Sequence, residues 1–196
     1  MRHTPAAATA VLLLAGLAAC GTRADGGSTS ASASPEPSIS SSTPNTEPTE
    51  TAPTVWAMGE SWAFESTGQD NYQGDVAVLD YKQGIKSVVS ASEESGTEGY
   101  EWAYIELKTC SITGTFIADW TPWSLAYTDG SRVDPSSTTY RDFPKPEYPG
   151  ETTLTSGKCV RGKLVFAVPS DSRPDTVVYA PFGLDIPQEW TVPTTG

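Results

Sequence analysis

Trp102-Ala103-Tyr104-Ile105-Glu106-Leu107-Lys108-Thr109-Cys110 is the stretch that decides the fold. Ala103, Ile105 and Leu107 fall on one side of a two-residue period, and Trp102, Tyr104, Glu106 and Lys108 on the other. Only an extended chain sorts side chains this way, because successive Cβ atoms of a strand point to opposite faces. Leu164, Phe166 and Val168 repeat the pattern later in the chain. Further runs of strand character are Trp62–Phe64, Val76–Tyr81, Ile85–Val89, Trp123–Tyr127, Val160–Val168 and Thr176–Tyr179, and no segment carries a convincing amphipathic helix.

Working outward from these runs, Thr128-Asp129-Gly130-Ser131 lies between strand-like segments and predicts a tight hairpin, since Gly adopts positive φ freely. Phe143 to Gly150 carries Pro144, Pro146 and Pro149, which cannot donate ladder hydrogen bonds, and reads as a long connection or an edge. About seven strands with this spacing predict an all-β, antiparallel β-sandwich of the immunoglobulin-like kind. Cys110 closes one run and Cys159 opens another, which predicts a disulfide once the chain is exported. Its loop of about 49 residues would contribute on the order of 4 kcal/mol in the chain-entropy model.

The start of the chain supplies the export. Met1-Arg2-His3 is basic, Ala6 to Leu17 is apolar but short for a membrane span, and Leu17-Ala18-Ala19-Cys20 matches the lipobox of bacterial lipoproteins. The match implies a signal peptide over 1–19 and a lipidated Cys20 that holds the mature protein on the extracytoplasmic side of the cell membrane. The alternative is a soluble secreted protein with Cys20 as a stray thiol. Residues 20–54 are rich in Ser, Thr and Pro with only Ile39 as a large aliphatic, so they predict a tether spanning roughly 30 Å if flexible and about 100 Å if extended. The folded domain is expected over 55–196.

Leu107-Lys108-Thr109-Cys110, Tyr127-Thr128-Asp129-Gly130, Cys159-Val160-Arg161-Gly162-Lys163-Leu164-Val165-Phe166-Ala167-Val168-Pro169 and Val177-Val178-Tyr179-Ala180-Pro181, followed by Trp190, together resemble the telokin-like, immunoglobulin-fold domain of exported actinobacterial and related Gram-positive proteins. The resemblance covers roughly residues 100 to 192. It implies a fold and no activity. In the Cys-x-x-Gly-x-Leu-x-Phe-x-Val-Pro run it implies a turn leading into a core strand.

Chemistry is constrained by what is missing. The sole histidine is His3, which leaves with the signal peptide, so triads that need an imidazole base and the usual zinc sites have no ligand. Glu93 with Glu94, or Glu98 with Glu101, could form an acid/base pair, but they read more simply as a solvated acidic turn. Asp129 and Asp134 lack EF-hand spacing for calcium. The chain carries 12 Lys and Arg against 24 Asp and Glu, a net charge of -12, which disfavours nucleic acid and anionic lipid headgroups. No catalytic residue, metal or cofactor is expected.

Aromatic residues remain. Trp120-Thr121-Pro122-Trp123 sets two indoles around a proline, with Tyr127 further along, and the trio offers either a sugar-stacking platform or core packing. Trp102 and Tyr104 present aromatic surface on their face of the strand, or are covered by the N-terminal strands. The expected function is a non-enzymatic interaction domain that contacts an envelope or extracellular protein through sheet edges and end loops. The alternative is a carbohydrate-binding module for cell-wall glycan built on Trp120 and Trp123. Exposed coplanar indoles would favour sugar, and a bare apolar sheet edge would favour protein.

Overall fold

The computed structural model describes residues 54–66, 71–183 and 185–194. The signal segment, Cys20 and residues 21–53 of the tether lie outside the described residues. Eleven strands and one short helix follow in order: β1 Val55–Trp56, β2 Ser61–Ser66, β3 Tyr72–Ile85, α1 Ala91–Ser95, β4 Tyr100–Thr113, β5 Thr115–Asp119, β6 Trp123–Ala126, β7 Arg132–Val133, β8 Glu151–Thr155, β9 Cys159–Pro169, β10 Thr176–Tyr179 and β11 Gln188–Thr191. They form a five-stranded sheet in the order β1-β11-β10-β6-β7, a four-stranded sheet β2-β3-β4-β9, and a two-stranded ribbon β5-β8. Pairing is antiparallel except between β1 and β11, which run parallel. The chain is an all-β sandwich, as the alternation predicts.

The alternating sets do what their period requires. Ala103, Ile105 and Leu107 of β4, Leu164, Phe166 and Val168 of β9, and Val76 and Val78 of β3 face Trp123, Leu125, Val177 and Trp190 of the opposite sheet in one buried cluster. Burying side chains of this size contributes about 1.5 to 3 kcal/mol each, so this layer is the main source of stability. The opposite face of β4 is not left as open aromatic surface, nor do N-terminal strands cover it. Trp102 is 2% exposed beneath Ala91 of α1 and Phe143 of the β7–β8 connection, and its Nε1–H donates to Val89 O at 2.8 Å.

One expectation about local structure is corrected. Ile85–Val89 is not a separate strand: β3 runs through Ile85 and stops beyond Gly84, whose φ is 77°, and residues 86–90 leave the sheet. Asp142 holds them there, accepting from Val88 N at 2.8 Å and from Ser87 Oγ at 3.1 Å. The predicted run Val160–Val168 falls within β9, a turn at 156–157 leads into it, and Gly162 lies inside the strand, paired with Leu107. A Cβ at Gly162 would sit 2.4 Å from Tyr148 N and 2.5 Å from Glu147 C and O, so glycine is needed because the Pro-rich connection crosses the strand at that point. The crossing is hydrogen-bonded from Lys163 N to Pro146 O at 2.8 Å and from Tyr148 N to Lys163 O at 3.0 Å.

The predicted hairpin forms between β6 and β7, with Leu125 opposite Val133, Gly130 at φ 86° and Gly130 N donating to Tyr127 O at 2.9 Å. Cys110 and Cys159 face each other across β4 and β9 and are joined as a disulfide. Strands β1, β5, β8 and β11 were not foreseen; β5 and β8 are the two that shape the site.

Candidate functional site

A cleft of about 620 Å³ lies between β2, β5 and the segment after β10. Its first wall follows from alternation in β2: Trp62 and Phe64 turn inward, while Ser61, Ala63 and Glu65 are exposed. The floor is set by Gly74 of β3. A Cβ there would lie 2.5 Å from Phe64 Cζ, 2.9 Å from Phe116 Cε1 and 2.8 Å from Cys110 O, so the two rings occupy the space a side chain would take. Phe64 and Phe116 meet edge-on at 5.3 Å, Phe116 lies 5.2 Å from Tyr72, and Trp62 stacks on Phe64 at 5.5 Å.

The second wall is β5, which the chain reaches through Gly114 at φ 73°. A Cβ at Gly114 would come within 2.5 Å of Asn71 O, so the turn also requires glycine for closeness. Tyr179, at the end of β10, lies 6.1 Å from Trp62, and Pro181, Phe182 and Gly183 complete the rim. Phe182 has a relative exposure of 109% and Ile117 of 56%, so the rim carries bare apolar surface.

Three polar side chains of the cleft, Tyr148, Thr109 and Asp119, are hydrogen-bonded within the protein. Tyr148, delivered by the crossing over Gly162, shares a 2.8 Å hydrogen bond with Thr109 Oγ1. Burial pushes the Tyr148 phenol up to about 12, and burial raises Tyr179 further, so both are neutral hydrogen-bonding groups at physiological pH. Asp119 Oδ1 accepts from Thr121 N at 2.8 Å and from the Thr121 hydroxyl. Among the described residues Glu65 and Asp119 are the carboxylates of the lining, and no Lys, Arg or His lines it.

The residues singled out from sequence lie elsewhere and do not form one platform. Trp123 is 1% exposed, packed 4.5 Å from Tyr179 and 5.8 Å from Trp190, with no hydrogen-bond partner for its Nε1. An indole so enclosed cannot stack on a sugar. Trp120 is half-buried against the core and lines a separate cavity of about 200 Å³ with Glu147 and Lys163. Tyr127 is half-buried at the hairpin, its hydroxyl enclosed and unpartnered.

The acidic candidates have structural roles. Ser90 Oγ caps α1 by accepting from Glu93 N at 3.2 Å, and Glu94 accepts from Thr138 Oγ1 at 2.5 Å and from the Tyr140 hydroxyl. Those hydrogen bonds, Thr138 first, hold the Glu94 carboxyl below the usual range. Asp129 Oδ1 accepts from Ser131 N at 2.9 Å inside the hairpin turn. Among the described residues no group of three or more His, Cys, Asp or Glu is placed to hold a metal ion.

Sequence reading recognised Trp62 and Phe64 only as strand formers. Their period-two spacing was the available signal, but Phe116 and Phe182 sit in segments with no strand pattern that would link them to β2.

No protein-family model matches the chain, and no curated protein matches it. Among solved structures, the secreted protein MPT63 of Mycobacterium tuberculosis superposes with a TM-score of 0.55 at 15% identity, over 72% of this chain and 98% of its own. The yjhA protein of Bacillus subtilis gives a TM-score of 0.48 at 16% identity, over 70% of this chain and 99% of that one. The ycdA protein of Bacillus subtilis, described as a candidate lipoprotein, gives 0.45 at 16% identity, over 60% and 36%. At this identity the likeness to MPT63 is one of fold.

Proposed function

We propose that this chain is a lipid-anchored extracytoplasmic protein whose telokin-like, immunoglobulin-like sandwich is a non-enzymatic domain that binds a protein partner through the cleft between β2 and β5. The observation that carries the reading is an aromatic cleft beside two strands that each pair on one side only among the described residues, rimmed by exposed Phe182 and Ile117. Exposed apolar surface is costly to keep in water, and the bare Phe182 and Ile117 beside an aromatic concavity support reading it as a contact surface. The lipobox ending at Cys20 supports the anchor. MPT63 is secreted and ycdA is described as a candidate lipoprotein, which agrees with an exported setting.

The cleft supports protein over wall glycan. Trp123, half of the glycan platform, is enclosed, while the open feature is the bare apolar edge expected of a protein contact. The two lining carboxylates favour a contact surface over an acid/base pair, since Asp119 is tied to Thr121 and Glu65 is exposed to solvent.

The test is photo-crosslinking in cells, with a photoreactive residue at Phe182 or Ile117 and a control at Val88, which is 79% exposed but outside the cleft. A discrete crosslinked protein band from the two cleft positions, absent from Val88, is expected. Equal labelling at all three positions would sink the cleft as the contact site. Mass spectrometry of the mature N-terminus should show diacylglyceryl on Cys20, and Cys20→Ser should release the protein from the membrane fraction.

A further inference from the structure

The shape of the cleft and the state of its walls specify how a partner would be held. Thr115 to Asp119, five consecutive residues of β5, all line it. Side chains of a strand alternate, so a cleft confined to one face would meet every second residue; contact with all five shows that the cleft reaches the backbone of β5 as well as the ribbon face that Thr153 of β8 also lines. β5 pairs only with β8, and no other backbone hydrogen bond among the described residues involves Thr115 to Asp119. Among the described residues β2, across the cleft, pairs only with β3. An unpaired edge presents a row of free N–H and C=O groups, a template for another chain.

Taking the cleft as the contact site proposed above, we infer that it receives an extended segment of the partner protein as an added strand along β5, apolar in its middle and basic at its ends. Five residues of β5 at about 3.4 Å each give an edge of roughly 17 Å, which a segment of about five residues matches. One set of its alternating side chains lies on Phe64 and Phe116; the other meets Ile117 and the Phe182 rim. The charge follows from the lining, which holds Glu65 and Asp119 and no cation, on a chain with 24 acidic against 12 basic residues. A lysine or arginine beside the apolar run is attracted to this surface, whereas an acidic residue is repelled. Backbone pairing supplies affinity that is indifferent to side chains, and the aromatic floor and the charge supply selection.

Three capped heptapeptides test this on the full chain carrying Cys20→Ser. The first alternates valine and threonine between terminal lysines; the second is the same peptide N-methylated at alternate backbone nitrogens; the third has glutamates in place of the lysines. Calorimetry should show the first binding, the second at least about tenfold weaker because its strand hydrogen bonds cannot form, and the third several-fold weaker at low salt. Hydrogen exchange should slow at the amides of Thr115 to Asp119 with the first peptide only. Equal binding of the N-methylated peptide would overturn strand addition and leave the cleft as a side-chain pocket. Failure of all three at millimolar concentration would also overturn it, and photo-crosslinks at Phe182 would then show that the cleft itself still contacts a protein. Equal binding of the acidic peptide would remove the charge preference.

Discussion

Gly162→Ala is the sharpest single perturbation of this fold. A methyl group there would meet Tyr148 N at 2.4 Å and Glu147 C and O at 2.5 Å, all backbone atoms that cannot swing aside as a side-chain end would. The connection must lift from β9. Lifting it breaks Lys163 N to Pro146 O and Tyr148 N to Lys163 O, and it withdraws Tyr148, which is 5% exposed, from the core and from Thr109 Oγ1. Two backbone hydrogen bonds at about 1 kcal/mol each, with partial loss of an aromatic burial of about 2 kcal/mol, give a destabilisation of about 3 to 4 kcal/mol. Urea denaturation is the assay: with a slope of about 1.5 kcal/mol/M, the midpoint should fall by about 2 M. Gly157→Ala is the matched control. Gly157 has φ 74° with nothing within 4 Å of an added Cβ, so it should cost only the left-handed backbone term of about 1 to 2 kcal/mol. A Gly162→Ala loss below that of Gly157→Ala would refute the crossing as the reason for the glycine.

Three further outcomes are expected. Replacing Cys110 and Cys159 by serine frees a loop spanning a separation of 49 residues and should lower stability by about 4 kcal/mol, read as a lower urea midpoint than the oxidised protein. Because burial raises the Tyr148 phenol to about 12, its stabilising share is fully present below the ordinary value of 10.0 and is lost as pH rises through the folded value. Unfolding followed between pH 9 and 12 should therefore show falling stability, worth about 2 kcal/mol from this group, and Tyr148→Phe should flatten the fall; an unchanged slope would contradict the burial assignment. Trp123→Ala should cost about 3 to 5 kcal/mol, whereas Phe182→Ala should stay within about 0.5 kcal/mol and lose the crosslinked partner, a contrast that thermal melts and pull-downs check together.

Local pattern carried the sequence reading a long way. The two-residue period of Trp102–Cys110 and Leu164–Val168 is a property of neighbouring residues, and it identified the strands and their buried faces before any contact was known. The Asp129-Gly130 turn and the pairing of Cys110 with Cys159 were legible for the same reason: one is local backbone chemistry, the other a choice between two cysteines once Cys20 is assigned to the lipid. Phe116 and Leu154 gave no such signal, because β5 and β8 are short and pair across more than thirty residues of chain.

What the sequence by itself determined is the all-β character, the main strands, their inward sets and the hairpin. The tertiary structure alone decided that Trp123 is core and that Trp62, Phe64, Phe116 and Phe182 share a cleft. Burial of an aromatic depends on which strand lies opposite it, and a cleft is made by residues brought together from distant parts of the chain. Gly162 shows the same division. Its sequence neighbours read as strand, and only the passage of Glu147 and Tyr148 across β9 explains why no side chain fits there.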